Sequence, residues 1–260
     1  WTGMKCITDT VESAASVEVD QERFKIIIPQ DYQLPEENIH IQWGFMPAAS
    51  ELRLYQMRLP AAQAFARNNN IDKVIFSKRK RLAIVTTGKA YLDVRQALDE
   101  LGLDEQAALE KGISLYKVGM VWPLEPQKIS EFIEGHEEVL VVEEKRPIIE
   151  DQIAKMLFNN TNRPRLIGKN DESGMPLVSS EGELSPNDIA LVIGQRLLNL
   201  EKDLSIETRI SDITTFMDSL KSSGNSHLFR LPSFCAGCPH NTSTKIPEGS
   251  IAFGGIGCHG

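Results

Sequence analysis

The sequence predicts an α/β chain whose best-formed part is a three-layer domain built on a parallel sheet, and three observations carry that prediction. Between residues 81 and 158, apolar runs of strand length alternate with stretches of helical periodicity. The links between them are short, and strand–helix–strand units of this kind form parallel sheets through right-handed crossovers. The strand runs are apolar almost throughout rather than alternating, as expected for a sheet covered on both faces.

Each element has its own warrant. Residues 1–20 show no clear period. Phe24-Lys25-Ile26-Ile27-Ile28 reads as a short strand ended by Pro29, which cannot donate to a ladder. A loop rich in Pro, Glu and Gln follows over 31–38, and Ile39-His40-Ile41-Gln42-Trp43 alternates as a second strand would. Leu52, Tyr55, Leu59, Ala62, Phe65 and Ala66 recur at helical spacing, giving one helix or two broken at Pro60. Leu82 to Thr86 is the first strand of the domain. Thr87-Gly88 turns into a helix carrying Val94, Ala97, Leu98 and Leu101, with Gly102 placed to close it. Strands at 113–118 and 138–143 alternate with helices at 126–133 and 148–158. Residues 159–183 read as a linker with at most short strands. Ser185 caps and Pro186 opens a helix whose apolar face is Ile189, Val192, Ile193, Leu197 and Leu198. A further helix is expected over 206–220, in a connector. No internal repeat or low-complexity tract appears.

Charge narrows the function classes. The 260 residues carry a formal charge of −8, which opposes non-specific binding to nucleic acid. The basic run Ser77-Lys78-Arg79-Lys80-Arg81 reads as a solvated linker before a strand. No window approaches the roughly 18 apolar residues of a membrane span, and no signal peptide opens the sequence; a cytoplasmic protein is expected. The chain starts at Trp1 and stops at Gly260 inside a glycine-rich run, so it reads as an internal piece of something larger.

Three of the four cysteines, Cys235, Cys238 and Cys258, fall near the end, and Cys6 stands alone. Two thiols two residues apart can reach one metal from a tight turn, and Gly237 gives that turn freedom beside a bulky inorganic centre. A cubane iron–sulfur cluster takes four thiolates. Tetrahedral zinc takes four ligands too, and His240 or His259 could complete a Cys₃His set. A redox dithiol and unliganded thiols stay open, and spacing does not choose between zinc and iron. A strand-like stretch over 250–253 leads to Gly254-Gly255-Ile256-Gly257, whose backbone could approach an anion such as a diphosphate.

The motif Phe234-Cys235-Ala236-Gly237-Cys238-Pro239-His240-Asn241-Thr242-Ser243-Thr244-Lys245, followed by Gly255-Ile256-Gly257-Cys258-His259, resembles the entrance of the diphosphate-binding domain in 2-oxoacid:ferredoxin oxidoreductases, in particular the long fused bacterial indolepyruvate ferredoxin oxidoreductases. Thr86-Thr87-Gly88-Lys89-Ala90-Tyr91, Val121-Trp122-Pro123-Leu124-Glu125-Pro126 and Val141-Val142-Glu143-Glu144-Lys145-Arg146 are similar to the middle domain of that family. Cys6 to Ser13 is similar to the trailing edge of its pyrimidine-binding domain. The resemblance divides the chain into a pyrimidine-domain edge (1–20), a connector (21–79), a domain resembling the transketolase C-terminal domain (80–160), a linker with helices (161–230) and the start of the diphosphate domain (231–260). The flanking pieces would thus be partial thiamine-enzyme domains.

The resemblance implies that Cys235, Cys238 and Cys258 are three ligands of a [4Fe-4S] cluster, with the fourth beyond Gly260, and that Cys6 is a buried hydrophobe. It implies that Gly255, Ile256, Gly257, Cys258 and His259 face the diphosphate of thiamine diphosphate, with magnesium. It further implies an aryl 2-oxoacid substrate, coenzyme A, ferredoxin as electron acceptor and a homodimer. The family's magnesium motif and catalytic glutamate have no counterpart between Trp1 and Gly260, so no catalytic residue is assigned and the isolated chain is expected to be inactive. The competing reading is a zinc-binding structural module without catalysis; another is a two-cysteine redox protein.

The remaining residues receive plainer readings. Thr86-Thr87-Gly88-Lys89 is not a P-loop, because Ala83 stands where the first glycine should be and Ala90 where Ser or Thr should be. Glu143 and Glu144 read as a solvated strand end partnered by Lys145 or Arg146, Trp122 as core, and His40 and His136 as surface. Asn159 and Asn241 match glycosylation sequons, which have no bearing in a cytosolic protein.

Overall fold

The computed structural model describes residues 14, 16–20, 22, 25–40, 46–222 and 233–253. The chain forms two compact units, Trp1–Thr215 and Phe216–Gly260. In the first, a helical run opens with α1 (Pro47–Arg53), widens into a π-helical turn over Leu54–Arg58 and continues as α2 (Leu59–Asn68). Pro60 does not break it. The proline sits at the start of α2, and the wider turn just ahead absorbs the contact its ring would make.

The sheet has five strands in the order β1 (Lys73–Phe76), β3 (Ile113–Val118), β2 (Leu82–Thr87), β4 (Glu138–Val142) and β5 (Arg165–Ile167). The β2, β3, β4 and β5 pairings are parallel, and β1 runs antiparallel on β3 with an irregularity between Val74 and Phe76. The fold is α/β with a mostly parallel sheet and flanking helices, as expected. The sheet nevertheless takes one more strand at each edge than the three read from sequence. Both extra strands are short, four and three residues, and too brief to show a period.

Burial follows the pleat. Ala83, Val85, Tyr116, Val118, Val139 and Val141 point to one face. There they meet Ile129, Phe132 and Ile133 of α5 (Pro126–Ile133) and Ile149, Ile153 and Leu157 of α6 (Ile148–Leu157). On the other face Leu82, Ile84, Leu140 and Val142 are fully buried beneath α3 (Gly88–Glu100), which packs on α7 (Pro186–Leu200). A short α4 (Glu105–Glu110), capped by Asp104 accepting from the Ala107 N–H at 2.8 Å, leads into β3. The Ser185 cap and Pro186 start of α7 are as expected. Its Gly194 is needed for close approach: a Cβ there would stand 2.9 Å from Ile210 of α8 (Leu204–Ser222). Among the described residues, no helix is long and apolar enough to cross a membrane.

Two expected strands do not form among the described residues, and a third lies mostly outside them. Residues 25–29 are extended but unpaired, with Ile26 and Ile28 exposed. The Asn69 side-chain amide binds both the N–H and the C=O of Ile27, at 2.7 and 2.8 Å, taking the place of a strand partner. Ile39 and His40 form a bend, and residues 41–43 lie outside the described residues. Residues 250–253 are irregular and exposed, and among the described residues of the second unit there is no strand for them to pair with. Phe24 and Cys6 to Ser13 also lie outside the described residues.

Candidate functional site

Cys235 and Cys238 sit on one tight turn. The Cys238 N–H donates to the Cys235 carbonyl at 3.0 Å, and Asn241 fastens the turn twice, N–H to Cys238 O at 3.1 Å and Nδ2 to Cys235 O at 3.0 Å. Gly237 supports the reversal at φ +82°, and a Cβ built there would meet nothing within 4 Å. The turn enters α9 (His240–Ser243), whose His240 ring stacks on Phe234 and brings Nδ1 within 3.3 Å of Cys238 Sγ. Both thiols are free, Cys235 exposed and Cys238 half-buried. Two soft donors beside open space fit a metal or an iron–sulfur centre in chemistry and in room. Among the described residues no three metal-binding side chains converge. Cys258, with Gly255, Ile256, Gly257 and His259, lies outside the described residues, as does Cys6.

The first unit offers a second place to look. The connections after β2 and β4 leave to opposite faces of the sheet, and α/β folds take ligands at such a switch point, beyond the carboxyl ends of the strands. Here the chain fills it. Lys89 Nζ lies 3.0 Å from Asp93, 3.1 Å from Glu183 and 3.7 Å from Glu144, and donates to Leu184 O at 3.0 Å. Lys145 donates to Gly182 O, and Lys169 to Glu143 O and, at 3.2 Å, to Ser179 O. Three lysines, one from the first turn of α3 and two from the segments after β4 and β5, thus clasp the backbone of 179–184 over the crevice.

The charges are tuned by burial and by this clasp. Burial works to lower the Lys89 pKa, but the carboxylates of Asp93 and Glu183 outweigh it and hold the ammonium above its ordinary value. Asp93 is raised by burial, against the pull of Lys89. Lys169 is lowered by burial despite Glu143 and Glu150 nearby, because its hydrogen bonds go to neutral carbonyls. The arrangement is an ion-paired closure with no open reacting geometry.

Four plain readings need correction. Glu143 is buried, not solvated: its carboxylate accepts from the Ile149 and Glu150 N–H groups at 3.0 Å, capping α6. Burial raises its pKa, opposed by those N–H groups. The signal was Pro147 at the N-cap position, which has no side-chain acceptor to offer. Glu144 is half-buried rather than solvated and lies 3.7 Å from Lys89. His136 is buried against Phe132, with burial lowering its pKa. Trp122 is exposed, 57%, rather than core.

Fold and turn together define an α/β domain followed in the same chain by a thiol turn with the chemistry of a metal or cluster site. Residues 72–219 match the family described as the indolepyruvate oxidoreductase domain, more than half of the chain, and the chain belongs to that family. Similar proteins include indolepyruvate oxidoreductase subunit IorA of Pyrococcus horikoshii, 27% identical over 184 residues, which are 69% of this chain and 25% of that protein. IorA of Thermococcus kodakarensis is 24% identical over 163 residues, 63% of this chain and 22% of that protein. The chain thus spans about a quarter of the length of these relatives. Among solved structures, a 2-oxoglutarate:ferredoxin oxidoreductase from Magnetococcus marinus matches with a TM-score of 0.38 and 17% identity, over 59% of this chain and 24% of that one. A split-gene transketolase matches with a TM-score of 0.35 and 18% identity, over 50% of this chain and 42% of that one.

Proposed function

We propose that the chain is part of an indolepyruvate-type 2-oxoacid:ferredoxin oxidoreductase, which decarboxylates an aryl 2-oxoacid, passes the acyl group to coenzyme A and delivers electrons to ferredoxin in the cytoplasm. The observation that carries this reading is the family match over 72–219 followed, in the same chain, by the Cys235–Cys238 turn. Cys235, Cys238 and Cys258 would hold a [4Fe-4S] cluster, and Gly255, Ile256, Gly257, Cys258 and His259 would face the diphosphate of thiamine diphosphate and its magnesium. When bound, thiamine supplies the electron sink for decarboxylation and the cluster a one-electron carrier. The share of this chain's residues is to bind and to orient: the turn presents the two thiol side chains on one reversal of the backbone. A homodimer is the expected assembly. The isolated chain is expected to bind thiamine diphosphate weakly and not to turn over; tight binding in calorimetry would overturn that.

The test is iron and acid-labile sulfide analysis of anaerobically purified protein beside Cys238→Ala. Loss of about four irons and four sulfides per chain in the variant supports the reading. One observation favours a structural zinc site instead, the 3.3 Å approach of His240 Nδ1 to Cys238 Sγ, since zinc is often held by paired Cys and His. Zinc without sulfide in the same assay would decide for it.

A further inference from the structure

We propose that the free edge of the sheet, at β1, is a docking groove for an extended acidic peptide, which adds a strand to β1 and lies between it and α5. Among the described residues no strand lies beyond β1, so its outer row of N–H and C=O groups has no sheet partner, and such edges are templates for strand addition. Beside it opens a cavity of about 720 Å³, within the roughly 300–1,000 Å³ of binding pockets. One wall is β1, with Val74 exposed and Ile75 half-buried, the other is α5, and Phe132 and Tyr116 supply an apolar floor.

The rim decides the partner. Lys73, Lys80 and Lys128 line the groove against two carboxylates, Asp72 and Glu131. Asp72 is buried and spent: it accepts from the Gly119 and Met120 N–H groups at 2.8 and 3.1 Å and from the Tyr116 hydroxyl at 3.3 Å. Lys80 and Lys128 bind neutral oxygens, the backbone carbonyl of Glu134 and the Asn70 side chain, and among the described residues Lys73 has no hydrogen-bond or ion-pair partner. Lys80 and Lys128 thus bring two ammonium groups to the groove against one uncommitted carboxylate, with Lys73 on the edge of β1, in a chain of net charge −8. From the basic run after β1, Lys80 lines the groove and the neighbouring Lys78 is exposed. A segment alternating acidic and β-branched residues matches this surface, with its apolar side chains toward the floor and its carboxylates toward the lysine rim.

The probe is a fluorescein-labelled hexapeptide alternating glutamate and valine, titrated into the chain by anisotropy. Alternate backbone amides are methylated in a second peptide of the same charge. Binding is expected to weaken by about tenfold or more on methylation, and again in Lys73→Glu combined with Lys128→Glu. Amide exchange at 73–76 should slow when the unmethylated peptide is present. Equal binding of the methylated peptide would reduce the site to charge alone and overturn strand addition. Binding indifferent to the lysine reversals would overturn the groove. No binding at all would leave Lys73 as a guard against edge pairing and sink the proposal. Circular dichroism of the double variant, which alters side chains outside the core, separates lost binding from lost fold.

Discussion

The sheet and the cysteine turn are held by different forces. In β2 every residue from Leu82 to Val85 has no exposed surface, and the neighbouring strands continue that burial on both faces. From Ser233 to Phe253 no side chain is buried, and Phe253 is 97% exposed. Local hydrogen bonds, such as those of Asn241 to Cys235 and Cys238, and the stack of Phe234 on His240 shape the turn. The sheet is thus a structure complete in itself, whereas the turn is a set of donors whose geometry a bound centre would fix. Substitutions in the two regions should separate stability from binding.

The largest effect is expected where the sheet domain buries charge. Arg196 on α7 grips Glu138 at the start of β4 with Nε to Oε1 at 2.7 Å and Nη2 to Oε2 at 2.5 Å, both side chains nearly inaccessible, and also holds Glu172 at 2.9 Å. Arg196→Met should cost about 3 kcal/mol in urea unfolding, because the buried Glu138 carboxylate is left with only the half-exposed Arg165, at 3.3 Å, as its ion-pair partner. Adding Glu138→Leu should recover much of that loss. A double variant no better than the single would show that the pair's packing, not its charge, carries the cost.

A smaller effect should separate the two clasping lysines by sign. Lys89, held above its ordinary pKa, contributes stability that is present below about pH 10.4 and lost as pH rises through its folded value. Lys169, pushed down, carries a charging penalty at neutral pH that is relieved as pH rises through its lowered value towards about 10.4. At neutral pH Lys89→Met should therefore cost about 1–3 kcal/mol, having stranded Asp93 and Glu183, and Lys169→Met clearly less. The ordering is what to check; the reverse ordering would mean that the carbonyls of Glu143 and Ser179 depend on Lys169 more than its burial costs.

What the sequence made legible follows the same division. The β2, β3 and β4 runs, the Ser185 cap and the helices between them were readable because long apolar periods and caps are local signals. β1 and β5 were not, since a three- or four-residue edge strand is specified by the neighbour it pairs with. Ile26-Ile27-Ile28 misled for the opposite reason: its composition is that of a strand, but the partner it finds is the side chain of Asn69. Glu143 and His136 were misjudged because polarity alone suggests solvent, whereas the helix start at Ile148 and the ring of Phe132 draw them inside. At the candidate site, the Cys-x-x-Cys spacing was legible as a turn, and the turn is there. The spacing of two thiols does not choose a centre for them.

His136 gives a milder test of the sheet domain. Burial against Phe132 holds its imidazole pKa below the ordinary value, so the neutral ring is the one that fits. Its stability contribution is intact above about pH 6.5 and falls as pH drops from there through the lowered folded value, because only the unfolded chain takes up the proton readily. Between about pH 8 and about pH 5.5 the wild type should lose on the order of 1 kcal/mol more than His136→Phe. Parallel pH profiles for the two proteins would remove His136 from the account.

The smallest effect sharpens the contrast most. Cys238 belongs to a unit with no buried side chain among its described residues, where it bonds Cys235 and Asn241 through its backbone and lies 3.3 Å from His240. Cys238→Ala should therefore shift the unfolding midpoint of metal-free protein by less than about 0.5 kcal/mol, as surface substitutions do. In protein carrying a centre the same substitution should lower the midpoint of the transition that includes the turn, because a ligand that binds only the folded turn stabilises it by mass action. If the metal-free protein is also destabilised, the turn is part of the fold rather than a site waiting on a ligand, and the division between the two regions collapses. A loss confined to the loaded protein would make Cys238 a ligand by a measure independent of activity.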